Sequence, residues 1–295
     1  MIKIDADAKI NLGLDILGKR DDGYHDVYMV MQALEYGDTV VLEKRPGGGV
    51  TFETNDPDIP TDDTNLAVRA ANEFSSEFNS EFSDEFASWD FGVHIKLKKR
   101  IPSKAGLGGG SADAAAVIKG MNLLFNTGLS RETLMKIGAR VGSDVPFCII
   151  GKTALAKGRG EHITPLHDLP KCKVLIVKPA EVEISTKEAY DSMDGANDIE
   201  HPDIDGLAAA LRQREPLDKI CALFGNSFEK MMIERYPDIG EIKDCLEKEG
   251  AVKAMMSGSG PAVFGVFEDE DTFAQAQTAV KSAFPGAVVI ATSAR

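Results

Sequence analysis

The sequence predicts a two-domain α/β (α+β) protein. Three observations carry that prediction. The chain is 295 residues long, enough to bury two cores. Strand-period and helix-period segments alternate through both halves. A glycine-rich stretch at 102–116, PSKAGLGGGSADAAA, sits between a strand and a helix in the first half.

The elements follow in order. Residues 1–16 alternate apolar and polar (Ile2, Ile4, Ile10, Leu12, Leu14, Ile16), the pattern of one or two strands. Lys9 and Asn11 fall on the face opposite the apolar set. Gly18, Asp21, Asp22 and Gly23 form a turn, and Tyr24 and His25 follow it. A phenol beside an imidazole is able to stack on a base and bond its edge. On the pair alone, a hairpin shoulder is the simpler account. Residues 27–34 and 38–44 read as two more strands, and 46–49 as a turn. Asp63 or Thr64 caps a helix that starts near Asn65.

That helix runs into four tetrads at 73–88, EFSS-EFNS-EFSD-EFAS. Phe74, Phe78, Phe82 and Phe86 recur every fourth residue, as do Glu73, Glu77, Glu81 and Glu85. A four-residue repeat overshoots the helical turn by about 40°, so the Phe stripe winds around the helix. Glutamates stacked at that spacing repel. The segment reads as a tandem expansion of a surface helix, its Phe stripe packed on the domain. A partner-docking helix is the alternative, since any exposed part of the stripe is an apolar contact patch.

Residues 89–98 alternate as a strand that leads into the glycine stretch. A helix follows over 111–124, then one to Arg140 capped by Ser130. Asp144 lies in GSDVPF, between a Gly–Ser turn and Pro146. On that segment alone a turn cap is the simpler account, and a general base the functional one. A strand over 151–156 and a turn at 158–160 follow. The second half opens with a buried strand at 173–177 and a helix through Met193, capped by Ser185 or Thr186. A polar stretch at 199–206 precedes helices at 207–214, 226–236 and 239–249. A second small-residue turn at 255–261 (MMSGSGP), a strand at 263–267, a helix at 271–284 and a strand at 288–291 complete the chain.

Composition narrows the function. Hydrophobic content of 43% and charged content of 27% are those of a soluble globular protein. No apolar stretch approaches the roughly 18 residues of a membrane span. The N-terminus lacks the basic and apolar regions of a signal peptide, so a cytoplasmic location is expected. Cys148, Cys172, Cys221 and Cys245 are scattered, with no C-x-x-C pair, and read as thiols in a reducing compartment. No H-E-x-x-H occurs among the five histidines. A net charge of −14 argues against nucleic acid and anionic membrane as partners. It also requires a locally positive site if the substrates are polyphosphates. Lys96, Lys98, Lys99, Arg100 and Lys104, five cations in nine residues, run into the glycine stretch. Such a run is elsewhere a solvated strand face; here partial functional use is expected.

Gly106, Gly108, Gly109 and Gly110 leave a bare backbone, and Ser111 with Ala112, Ala114, Ala115 and Ala116 continues it as a helix. Unpaired N–H groups and the dipole at a helix start bind phosphate. Neither common phosphate loop matches. Gly151-Lys152-Thr153 would need a glycine where Pro146 stands, and the third glycine of G-x-G-x-x-G is replaced by Ser111. Phosphoryl transfer needs a phosphate cradle, a cation and a group that deprotonates the acceptor. The 106–111 loop, Lys9 or Lys104, and Asp144 supply these kinds of part.

AKINLGL, GLGGGSADAA and MSGSGPAVFGVF resemble, in order, the three motifs of the GHMP kinase superfamily. AKINLGLDILGKRDDGYHDV and GSDVPF are similar to one branch, whose acceptor is a cytidine-diphosphate-linked methylerythritol. The resemblance implies the two-domain GHMP kinase fold, an N-terminal ATP-binding domain over 1–155 and a C-terminal domain over 156–295, with the active site in the cleft between them. It implies an ATP-dependent kinase of the non-mevalonate isoprenoid route that phosphorylates the acceptor's 2-hydroxyl. Lys9 and Asp144 are then the catalytic pair: Asp144 takes the proton, and Lys9 keeps it ionised and stabilises the attacking oxygen. Lys104, Ala105, Gly106, Leu107, Gly108, Gly109, Gly110 and Ser111 would hold ATP, with Asn65 and Lys96 contacting the nucleotide. Asn11 would hold the acceptor, and Tyr24 and His25 its cytosine. Mg²⁺ is expected with ATP, and Ser111 would meet the metal or a phosphate; no metal-binding acid is identified. Monomer and homodimer both stay open. Two departures stand out: Ser103-Lys104-Ala105 where many relatives carry Met-Gly or Ala-Gly, and the four tetrads. Two rivals remain. One is a GHMP kinase of homoserine or mevalonate type, which has no need of the Tyr24–His25 pair. The other is a non-catalytic nucleotide-binding protein on the same fold, against which the presence of both Lys9 and Asp144 speaks.

Overall fold

A computed structural model describes residues 1–81, 91–195 and 198–295. Phe82, Glu85 and Phe86 of the tetrads, and the first two residues of the strand expected at 89–98, lie outside the described residues. The chain divides into two compact units. One comprises residues 1–8, 37–101 and 108–151, the other 9–36, 102–107 and 152–295.

Two long strands start the chain, β1 (Ile2–Lys19) and β2 (His25–Lys44), and each contributes residues to both units. Two separate strands were expected where β2 runs unbroken. Gly37 lies between those two expected strands; a Cβ there would sit 2.3 Å from the Ala6 carbonyl oxygen, so glycine permits close strand approach.

The first unit builds a sheet edge and a helical layer. β3 (Val50–Thr54), absent from the sequence expectation, runs parallel to β4 (Val93–Lys98), which pairs antiparallel with residues 39–44 of β2. Helices α1 (Leu66–Glu81), α2 (Gly109–Phe125), α3 (Arg131–Val141) and α4 (Val145–Ile150) pack with one another. Small residues set the closeness of α2: a Cβ on Gly120 would meet Leu42 at 2.5 Å and Ile4 at 3.3 Å. Asn65, not Asp63 or Thr64, caps α1, its Oδ1 accepting from the Ala67 N–H at 2.8 Å. Ser130 caps α3 as expected, accepting from the Thr133 N–H. Phe74 and Phe78 are buried against Phe91, 6.1 and 5.2 Å between ring centroids and nearly perpendicular. Arg140 bonds both Glu73 (3.0 Å) and Glu77 (2.8 Å), which offsets their repulsion.

In the second unit, residues 27–32 of β2 pair antiparallel with β5 (Thr153–Gly158), which pairs with β6 (His162–Pro165). A second sheet has the order β11-β7-β10-β9, antiparallel throughout, from β7 (Lys173–Lys178), β9 (Lys253–Met256), β10 (Val263–Phe267) and β11 (Val288–Ser293). β10 is central and entirely buried, which explains its unbroken apolar run. The two-residue strand β8 (Gly225–Asn226) joins β1 in parallel, Gly13 opposite Gly225. Among the described residues, the helices of this unit are α5 (Thr186–Met193), α6 (Ile204–Gln213), α7 (Leu217–Cys221), α8 (Glu229–Arg235), α9 (Pro237–Lys248) and α10 (Glu270–Ala283). β6, β8, β9 and α7 are too short to carry a periodic signal. Among the described residues, no helix is long and apolar enough to cross a membrane.

Candidate active site

Within the second unit, the period of β1 puts Lys9 and Asn11 on one face. Both are buried, and the Lys9 Nζ donates to Asn11 Oδ1 at 2.7 Å. The Lys9 backbone N–H donates to the Leu107 carbonyl at 3.0 Å, fixing the glycine stretch to the strand. Gly106 has φ +74°, and a Cβ on it would lie 2.1 Å from the Ser257 carbonyl oxygen. Only glycine fits there. In return the Ser257 hydroxyl donates to the Gly106 carbonyl at 3.0 Å, and the Ala262 N–H to that of Ala105 at 3.3 Å. Gly258, at φ +57°, lies so close that a Cβ would be 3.3 Å from both Lys9 Nζ and Asn11 Oδ1. Asn226 holds this second loop, donating to the carbonyls of Met256 (2.9 Å) and Gly258 (2.8 Å). Two glycine loops from distant parts of the sequence thus interlock around Lys9 and Asn11.

The glycine stretch continues in the first unit. Gly108 takes the left-handed conformation and α2 starts at Gly109, two residues before the expected Ser111. No side chain caps it. The N–H groups of residues 109–111 precede the first helical bond, Ala112 N–H to Gly108 carbonyl at 2.9 Å, which is the donor arrangement an anion needs. The Lys99 side chain, 7% exposed, lies under this turn, 3.2 Å from where a Gly109 Cβ would be. Its ammonium bonds Asp113 Oδ2 at 2.8 Å and also Asp38. Asp38 in turn accepts from the Arg100 and Ile101 N–H groups. Burial pulls the Lys99 pKa down, but Asp113 and then Asp38 outweigh it, and the net direction is up. Burial pushes the Asp113 carboxyl up to about 7 despite Lys99, with Asp38 adding to the rise. Asp113 Oδ1 is buried without a hydrogen-bond partner among the described residues.

Asp144 lies, as expected, in a short turn, the one that joins α3 to α4. It is the N-cap residue of α4, half-buried, with Pro146 in the first turn. Its side chain makes no capping bond to that helix. Asn65 commits both ends of its amide near α1, the Nδ2 donating to the Pro60 carbonyl at 2.7 Å. Lys96 is half-buried and pairs with Glu53 at 3.5 Å. Lys104, at φ +50°, pairs with Glu183 at 2.6 Å, both well exposed. Lysine pairing with Glu183 holds that carboxyl below its usual range.

Tyr24 and His25 separate in character. Tyr24 is exposed, with the Arg159 guanidinium 5.0 Å from its ring centroid. His25 is buried, its Nε2 3.0 Å from Asp194 Oδ1 and its ring 4.9 Å from that of Tyr190. Sequence reasoning missed Asp38, Lys99 as a buried residue, Asp113, Asp194, Tyr190, Asn226 and Ser257. Asp113 carried a signal, an acid inside an alanine run on a buried helix; Asp38, Asp194 and Asn226 carried none.

The model of the GHMP kinases N terminal domain matches residues 65–152, and that of the GHMP kinases C terminal domain matches 198–286. The chain belongs to the GHMP kinase family and is an ATP-dependent kinase of small molecules. It is 41% identical over 276 residues to the 4-diphosphocytidyl-2-C-methyl-D-erythritol kinase of Lachnospira eligens, covering 94% of this chain and 92% of that one. A crystal structure of 4-(cytidine 5'-diphospho)-2C-methyl-D-erythritol kinase is similar over 100% of both chains, at 30% identity and a TM-score of 0.76. Homoserine kinase from Cytophaga hutchinsonii shares the fold, with a TM-score of 0.74 at 19% identity over 99% of this chain and 95% of that one.

Proposed function

We propose that the enzyme transfers the γ-phosphoryl group of ATP to the 2-hydroxyl of 4-diphosphocytidyl-2-C-methyl-D-erythritol, in the non-mevalonate route to isoprenoid precursors. The observation that carries this is the 41% identity to a kinase of that name across 94% of the chain. The acceptor hydroxyl gives its proton to Asp144 as its oxygen attacks the γ-phosphorus. Lys9 keeps Asp144 ionised and offsets charge on the attacking oxygen. The backbone of 106–111 holds the ATP phosphates, supported by Lys104 and Ala105, and Asn65 and Lys96 contact the nucleotide. Asn11 orients the acceptor, and Tyr24 and His25 hold its cytosine.

Among the described residues no cluster of three or more acids, histidines or cysteines is able to hold a metal. Mg²⁺ would arrive as MgATP and keep phosphate and water ligands, with the Ser111 hydroxyl meeting the metal or a phosphate. We place the enzyme in the cytoplasm, as a monomer or homodimer.

ADP release with a panel of acceptors tests the substrate. Turnover is expected with the cytidine compound and not with mevalonate or homoserine; the reverse pattern rejects the proposal. ATP binding without turnover of any acceptor would make the chain a non-catalytic nucleotide binder.

A further inference from the structure

We propose that Asp194 is a positioning residue that makes the acceptor site select cytosine over uracil, by holding His25 with its proton on Nε2. The role rests on the cytidine reading above and adds a residue 169 positions away in sequence. The His25 Nε2 lies 3.0 Å from Asp194 Oδ1. An ionised carboxylate only accepts, so Nε2 must donate. Lys19 bonds the other oxygen, Oδ2. Lys19 first, and His25 second, hold the Asp194 carboxyl below its usual range, so it stays an acceptor at neutral pH. In the neutral imidazole that bond leaves Nδ1 as a lone-pair acceptor. Nδ1 makes no hydrogen bond among the described residues.

The ring is also fixed in place. The His25 side chain is 7% exposed. It stacks on Tyr190, tilted by 31°, and Tyr190 meets Phe228 edge-on at 5.0 Å. Cytosine carries an amino donor at N4 where uracil carries the O4 acceptor. A fixed Nδ1 lone pair bonds the first and repels the second. Without Asp194 either ring nitrogen can hold the proton, and a ring with its proton on Nδ1 accepts uracil. A buried polar mismatch of this kind discriminates far better than shape alone.

The test uses the full chain, with three readouts. Ring ¹⁵N NMR is expected to show His25 of the wild type with its proton on Nε2 at pH 8, and a tautomer mixture in Asp194→Ala. Steady-state kinetics compare the cytidine acceptor with its uridine counterpart. The wild type is expected to prefer cytidine by on the order of 10²-fold or more in kcat/KM. Asp194→Ala should cut that preference about tenfold through KM, with kcat and the KM for ATP within about twofold of wild type. Asp194→Glu should restore part of it. An unchanged preference in Asp194→Ala, or a wild-type His25 proton on Nδ1, overturns the role of Asp194. If Asp194→Ala does not fold, Lys19→Met at an exposed position is read the same way, and an unchanged preference there together with an Nδ1 proton overturns it. His25→Ala separates the layers: if it leaves the KM for the cytidine acceptor unchanged, the cytidine reading falls and takes the role of Asp194 with it.

Discussion

Each unit buries one lysine close to the glycine stretch, and the two are embedded differently. Lys99, in the first unit, holds two carboxylates, Asp38 and Asp113. Lys9, in the second, donates to the neutral amide of Asn11 beneath the loop at Gly258. A lysine held between two buried acids has its charge fully engaged, and removing it strands both acids. The basic run at 96–104 therefore divides: Lys99 anchors the turn below α2, whereas Lys96 and Lys104 pair with Glu53 and Glu183.

Substitutions that separate chemistry from anchoring sharpen this contrast. Lys9→Met and Asp144→Asn are each expected to lower kcat by on the order of 10²–10⁴, the range for lost acid–base and charge stabilisation. Melting of both variants should stay near wild type. A near-normal kcat in either variant removes that residue from the mechanism.

Lys99→Met is expected to reverse the pattern. It leaves two buried carboxylates without their cation, at a cost of about 3–5 kcal/mol in urea unfolding. If the protein is as stable as wild type but inactive, the contrast between the lysines collapses.

The next effect is smaller and depends on pH. The folded Asp113 pKa is about 7, above the roughly 3.9 of an unfolded aspartate. Between those values the folded chain keeps a proton that the unfolded chain has lost. Its contribution to stability is therefore full at low pH and declines as pH rises from about 4 to 7. Asp113→Asn should remove that decline, gaining on the order of 1–3 kcal/mol relative to wild type on going from pH 5 to pH 8. Parallel stability profiles would show that Asp113 stays ionised.

Lys104→Ala should give the smallest change. Exposed pairs such as Lys104–Glu183 contribute little, so the melting temperature is expected within about 1 °C of wild type. A rise in the KM for ATP would show that Lys104 reaches a phosphate; an unchanged KM would leave it as a surface lysine.

Much of this was legible in the chain itself. The strands at β4, β7 and β10, the Ser130 cap, and the glycine stretch follow from local pattern and backbone freedom. So did the choice of Lys9, Asp144, Tyr24 and His25 as candidates, through their motifs. Local pattern misled at 35–37, where a break between two strands was expected and β2 runs unbroken. The Lys99–Asp38–Asp113 cluster and the Asp194–His25 pair were invisible, because each joins residues from separate elements.

By itself, the sequence determined that a glycine loop opens a helix in the first half, and its motifs assigned the chain to a kinase family. Both depend on short-range features: φ freedom, helix propensity and residues adjacent in the chain. Tertiary structure alone decided which charges are engaged and which glycines are obligatory. The Gly106 backbone has no room for a Cβ because Ser257 lies against it, and Lys99 is an anchor because two acids surround it. Steric exclusion and desolvation act over a few ångströms in space, and no distance along a chain measures that.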